Sequence, residues 1–161
     1  MIVVADASPF IVLVNIGRVE ILPALFASVT IPTEVAAELA LPHPLQRVND
    51  FIKDPPPWLI IRAPQKQLAF PDLHAGESAA ISLAQELRAD LLLIDEQAGR
   101  KVATQHQIPI IGTIGVVILA AERGIVPIDQ VFTEIRHTDF RVSDEFLDEQ
   151  LRRFHARQGK S

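Results

Sequence analysis

The chain has 161 residues, a length that suits one domain, and its 48% hydrophobic residues suffice for a core of its own. It contains no cysteine, which excludes disulfides, Cys-ligated zinc, iron–sulfur clusters and thiol nucleophiles. A net charge of −5 argues against a protein that coats nucleic acid through a basic surface, so contact with phosphates would need local neutralisation of its acids.

The N-terminal Ile2 to Ala5 is a short apolar run that reads as a buried strand. No basic region precedes Asp6, so no signal peptide is expected. Ser8 suits an N-cap and Pro9 a first helical position, which predicts a helix to about Ile16, closed by Gly17. A second short helix is expected over Arg18 to Phe26, a strand over Val29 to Ile31, and a helix from Pro32 to about Leu41. Residues 45–53 fit a helical segment, and Asp54-Pro55-Pro56-Pro57 an extended connector. Trp58 to Arg62 is the third strand, and Ala63 to Pro71 reads as loop.

From Leu73 a helix is expected to about Arg88, then a strand over Leu91 to Ile94. A helix over Glu96 to His106, a fifth strand over Ile108 to Ile111 and a helix over Ile114 to Arg123 follow. Strands that are continuously apolar and alternate with helices argue for a parallel sheet covered on both faces. Beyond Pro127 the pattern weakens, until Ser143 caps a last helix carrying Phe146, with a stripe of Leu147, Leu151 and Phe154 and an opposite face of Arg152, Arg153 and Arg157. That helix is expected to pack on the domain or on a second subunit. The longest apolar runs, such as Val116 to Ala121, fall far short of the roughly 20 residues of a membrane-spanning helix.

Sites in open α/β sheets form beyond the carboxyl ends of the strands. Asp6 follows the first strand and Asp95 the fourth, so parallel strands place both on one rim. Glu34 and Glu38 share a face of the helix after the second strand; Glu38 borders its apolar stripe, and Glu34 is expected to be solvated. Glu77 stands in a first helical turn with Ile81 and Ala84 at i+4 and i+7, hence on the core side, whereas Glu86 points to water. Carboxylates crowded at about 4 Å repel by about 4 kcal/mol per pair at an effective dielectric near 20, so protonation or a divalent cation must offset them. Oxygen ligands favour Mg²⁺ or Mn²⁺ over zinc, and such an ion serves phosphodiester hydrolysis.

Other residues have competing roles. Arg100, four after Glu96, fits a salt bridge better than a phosphate contact, and Thr113 suits an N-cap better than the site. The five histidines show no metal-ligand spacing and read as ordinary; His74, two before Gly76, is the one near the acids. No glycine-rich phosphate loop is present. A haloacid-dehalogenase-type phosphatase would want Asp at position 8, where Ser stands, and a receiver would want Lys after the fifth strand, where Ile111-Gly112-Thr113 has none.

Val4-Ala5-Asp6-Ala7-Ser8-Pro9, Ile31-Pro32-Thr33-Glu34-Val35 leading to Glu38, Gly76-Glu77-Ser78, and Leu91 to Glu96 followed by Gly99-Arg100 together resemble PIN-domain proteins, closest to the prokaryotic branch of VapC-like toxins. The resemblance covers about residues 2–125. It implies a three-layer α/β/α fold with a five-stranded parallel sheet, and 126–161 as a C-terminal extension of a single domain. It also implies an endoribonuclease using Mg²⁺ or Mn²⁺, with RNA as substrate, a cognate antitoxin as partner and homodimers, and the lack of cysteine fits a cytoplasmic location. Asp6, Glu38, Glu77 and Asp95 match the family's acidic positions, with Asp6, Glu77 and Asp95 as metal ligands; Ser8, Glu96, Arg100 and Thr113 are the supporting candidates. Many toxin members carry Asp where this chain has Glu77, and a further acid expected after Asp95 is represented by Glu96. The competing reading is a weak or inactive PIN-fold module that acts through a protein partner.

Overall fold

In the computed structural model, Val3–Ala5 forms β1, and all three of its side chains are buried. A strand with no wet face belongs inside a covered sheet, and β1 pairs in parallel with a strand on either side. The structure describes residues 1–159; Lys160 and Ser161, the end of the expected extension, lie outside them. Two compact units result, Met1–Thr113 and Ile114–Ser161.

The first unit holds a five-stranded sheet in the order β3-β2-β1-β4-β5, parallel throughout. Its other strands are β2 (Val29–Pro32), β3 (Leu59–Arg62), β4 (Leu91–Leu93) and β5 (Ile110–Ile111). The helices between them are α1 (Ala7–Asn15), α2 (Ile21–Phe26), α3 (Thr33–Ala40), α4 (Gln46–Lys53), α5 (Ala75–Leu87) and α6 (Gln97–Gln105). From β1 the chain moves outward to β2 and β3, then returns past β1 to β4 and β5. Helix α3 packs against α1, α4 and α5, and α5 lies along β1, β2 and β4. Register pairs Ala5 with Leu93 and Leu93 with Ile111, so the chain leaves β1, β4 and β5 on one rim.

Helix α5 is the central covering element. Residues from Gly76 to Ala84 are all buried, so it has no wet face over that span. Its small residues, Gly76, Ser78, Ala79, Ala80, Ser82 and Ala84, allow that enclosure. The Ser82 hydroxyl donates to Ser78 O at 2.7 Å and accepts from Leu68 N–H at 3.0 Å, so this buried polar group is satisfied. Ile81 and Leu83 join Val4, Leu92, Ile94, Ala103 and Ile108 in one apolar cluster. Elsewhere in this unit Phe10 stacks on Trp58, with Phe51 beside both.

Several expectations shift locally. The first helix starts at Ala7, with extended Asp6 rather than Ser8 as its cap residue. Glu86 does not point freely to water: its Oε1 accepts the Gln65 N–H at 2.7 Å and its Oε2 is buried. That loop otherwise has an unpaired peptide N–H, and the carboxylate supplies the acceptor.

The second unit contains the rest of α7 (Thr113–Glu122), α8 (Ile128–Arg136) and α9 (Asp144–Gln158). Sequence reading missed α8, although Ile128, Val131, Phe132 and Ile135 carry the i, i+3, i+4, i+7 spacing and all four are buried. Ser143 caps α9 as expected, its hydroxyl accepting from Phe146 N–H at 3.0 Å. Helix α9 buries Leu147 and Phe154 and packs with α8, while Phe146 is exposed. Arg136 of α8 bridges Asp144 and Asp148 of α9 at 2.7 and 2.6 Å. No helix of the described residues is long and apolar enough to cross a membrane.

Candidate metal centre

The rim gathers the acids from three elements. Asp6 ends β1 and is 2% exposed; its backbone N–H donates to Leu93 O at 3.0 Å, which ties it to β4. Glu77 is in the first turn of α5 and is 4% exposed. Its core-side placement follows from the helix stripe, and the helix N-terminus favours a negative charge there. Glu38 projects from α3 and keeps a half-exposed side chain.

Between these acids stands His74, the residue before α5. Its Nδ1 accepts weakly from Glu77 N–H at 3.4 Å, which makes it the helix cap. Its Nε2 lies 2.9 Å from Glu77 Oε1, and its Nδ1 lies 3.9 Å from Glu38 Oε1. One ligand atom each of Asp6, His74 and Glu77 falls within 4.8 Å of the others. Sequence reading placed His74 near the acids but gave it no role. The missed signal was its position three before Glu77, where a cap residue's side chain turns back over the first helical turn.

Two buried oxygens in this group, Asp6 Oδ1 and Glu77 Oε2, have no hydrogen-bond partner. Burial pushes the Asp6 carboxyl up to about 7, opposed by the Ala7 peptide N–H and raised further by Glu38 and Glu77. Burial also raises Glu77, and the neighbouring His74 moderates that rise. Two desolvated carboxylates with orphaned oxygens are the donor set a divalent cation takes. The residues present therefore fit a cation.

Asp95 lies outside the tight group. Its Oδ1 accepts Thr113 N–H at 2.7 Å, and its Oδ2 accepts the hydroxyls of Thr113 at 2.6 Å and Ser8 at 2.9 Å. Three donors thus hold the carboxylate that the resemblance assigns as a ligand, and His74 stands in the tight group where Asp95 was expected. Thr113 begins α7 rather than preceding it, and its hydroxyl serves Asp95 instead of capping. Arg100 does not take Glu96 as its partner; Nη1 donates to Ile94 O at 2.9 Å, a carbonyl beyond the end of β4. Glu96 is exposed before α6 and adds negative potential at Glu77. Glu34 retains one buried oxygen without a partner, so it is not fully solvated as expected.

Glycines make the crowding possible. A Cβ at Gly99 would lie 2.6 Å from Ile94 Cδ1 and 2.7 Å from Glu77 Oε2. A Cβ at Gly112 would lie 2.9 Å from Asp95 Oδ1 and 3.0 Å from Arg100 Nη1. Backbone without side chain is what lets α6 and the turn after β5 reach these carboxylates.

The family model described as DUF3368, PIN domain, matches residues 2–156 of this sequence. The chain belongs to the PIN-domain family. PIN domains are in general a nuclease fold, typically metal-dependent, and they usually bind divalent cations. Among solved structures, the chain is similar to a PilT N-terminus domain protein from the hyperthermophilic archaeon Sulfolobus solfataricus. The identity is 14% and the TM-score 0.44, over 89% of this chain and 100% of that one. No curated protein matches it.

Proposed function

We propose that this PIN-domain chain is an endoribonuclease that hydrolyses RNA phosphodiester bonds with a divalent cation, Mg²⁺ or Mn²⁺. In the same reading it is the toxin of a VapC-like pair, paired with a protein antitoxin, dimeric and cytoplasmic. The observation that carries the nuclease reading is the pair of buried carboxylates, Asp6 and Glu77, each with an oxygen that no group of the protein satisfies. The fit to the PIN branch of toxins rests on the Asp6, Glu38, Glu77 and Asp95 pattern.

Asp6 and Glu77 would hold the cation, with His74 beside them. When bound, the ion screens the phosphate charge, acidifies a coordinated water and stabilises the leaving oxygen. The protein's part is to keep these carboxylates dry and aligned. Burial does the first, and the β1–β4 hydrogen bond and the start of α5 do the second. Asp95, fixed by Ser8 and Thr113, presents a negative edge of set orientation on the same rim. A net charge of −5 repels a polyanion overall, so local neutralisation is a condition of RNA approach.

The purified chain should cut RNA with Mn²⁺ and stop on chelation. Asp6→Asn and Asp95→Asn should each lose at least about a hundredfold in rate, the scale of removing one electrostatic stabiliser. Cleavage that survives chelator, or that Asp6→Asn leaves untouched, overturns the reading. Tight capture of a partner protein by a chain that takes up no metal and cuts nothing would instead support the partner-dependent module.

A further inference from the structure

We infer that His74 is a cation ligand through Nε2, so that this centre is a mixed nitrogen–oxygen site selecting Mn²⁺-class transition ions over Mg²⁺. The inference rests on the metal-dependent reading above and narrows it to one ligand and one class of ion. The observation behind it is the juxtaposition of the His74 imidazole with two buried carboxylates whose ligand atoms lie within 4.8 Å of its own. Glu77 is 4% exposed and its Oε2 has no partner, so the group already contains an unsatisfied buried donor.

The ring's two nitrogens face different surroundings. Nε2 lies against Glu77 Oε1 at 2.9 Å, inside the group. Nδ1 lies 3.9 Å from Glu38 Oε1 and accepts the weak Glu77 N–H contact at 3.4 Å. A histidine that binds metal through one nitrogen ordinarily gives its other N–H to a carboxylate, which fixes ring and tautomer. In the metal-free structure Nδ1 accepts the Glu77 N–H and so carries no hydrogen; binding a cation through Nε2 would move the ring hydrogen to Nδ1, release that weak contact, and leave Glu38 Oε1, 3.9 Å away, as the carboxylate for it to approach. Glu38 then acts as a positioning residue for the imidazole rather than as a ligand.

The ligand type decides the ion. Mg²⁺ demands oxygen in near-ideal octahedral geometry, whereas imidazole suits transition ions. A site of carboxylates alone would bind Mg²⁺ and Mn²⁺ with little discrimination; an added imidazole shifts it to Mn²⁺, Co²⁺ or Zn²⁺. The exposed position of His74, at 52% of its side-chain surface, puts this ligand at the mouth of the site, within reach of an entering ion.

Pulsed electron paramagnetic resonance on the full chain loaded with Mn²⁺ tests this directly. The wild type should show nitrogen coupling, its frequency changing when the histidines carry ¹⁵N, and His74→Gln should abolish it. Calorimetry should show Mn²⁺ preferred over Mg²⁺, with at least roughly a tenfold loss of that preference in His74→Gln. Glu38→Gln should weaken Mn²⁺ binding while retaining the nitrogen signal. Mn²⁺ bound without nitrogen coupling, or an unchanged Mn²⁺ to Mg²⁺ ratio in His74→Gln, overturns the inference and leaves the nuclease reading standing. Failure of the wild-type chain to bind either ion overturns both. The wild-type resonance result decides even if the variant does not fold.

Discussion

Asp6 couples the site to stability. Its carboxyl is raised to about 7 from an ordinary 3.8, so in the absence of metal the folded chain binds a proton that the unfolded chain has released across that interval. Stability therefore falls as pH rises from about 4 to about 7, and the cost is complete above that window. Three pH units correspond to about 4 kcal/mol as an upper scale. Melting in chelator should show this decline, and Asp6→Asn should flatten it and raise the melting temperature at pH 8. A metal-free melting curve of unchanged midpoint between pH 5 and 8 would refute it. Gly99→Ala makes a second test. The added methyl meets the Cδ1 of Ile94, a fully buried side chain, and Glu77 Oε2, so both must shift. Overpacking of this kind costs about 1–3 kcal/mol, against a helix-propensity gain of at most about 1 kcal/mol. We expect net destabilisation together with weaker Mn²⁺ uptake; a stabilised variant with full metal affinity would show that Glu77 can move freely. Asp6 and Glu77 were legible in the sequence because an acid just past a strand and an acid on an apolar stripe are local patterns. His74 was not, because its meaning depends on Glu38 from another helix and on which ring nitrogen faces inward.

At the level of elements, Asp95 works as a joint. It gathers Ser8 from α1 and the N–H and hydroxyl of Thr113, the residue that opens α7. Thr113 is fully buried, so its hydroxyl has no water to replace Asp95 as acceptor, and Thr113→Val would leave Asp95 Oδ2 with one donor fewer at nearly constant volume. A hydrogen bond to a charged group contributes about 1.5–3 kcal/mol. Denaturant unfolding of Thr113→Val, Asp95→Asn and the double variant should give a coupling of at least about 0.5 kcal/mol; strict additivity would mean the contact carries no energy. The strands were readable because each is dominated by apolar, mostly branched residues, with only Thr30 in β2 and Arg62 at the end of β3 interrupting them, and their parallel pairing followed from the intervening helices. Boundaries were less so: Asp6 is the last extended residue and takes the cap position expected of Ser8. Helix α8 went unread although its stripe is regular; Pro127, past which the sequence pattern weakens, serves here as the residue before the first turn.

For the chain as a whole, the proposed cation at the acidic centre would turn binding energy into folding energy. The folded protein brings Asp6, His74 and Glu77 together from positions up to 71 residues apart, and the unfolded chain has no such site. A ligand that binds the native state alone stabilises it by about 2.7 kcal/mol when present at one hundred times its dissociation constant. For chains of this length each kcal/mol moves the melting temperature by about 2–4 °C, so saturating Mn²⁺ should raise it by roughly 5–10 °C. The gain should be larger above pH 7, where the Asp6 carboxylate is ionised and desolvated, than near pH 5, where Asp6 holds a proton that a cation must displace. Chelator should reverse the shift, and Asp6→Asn should abolish most of it. Equal stabilisation of wild type and Asp6→Asn by Mn²⁺ would locate the ion elsewhere on this acidic surface and detach the buried carboxylates from metal binding altogether.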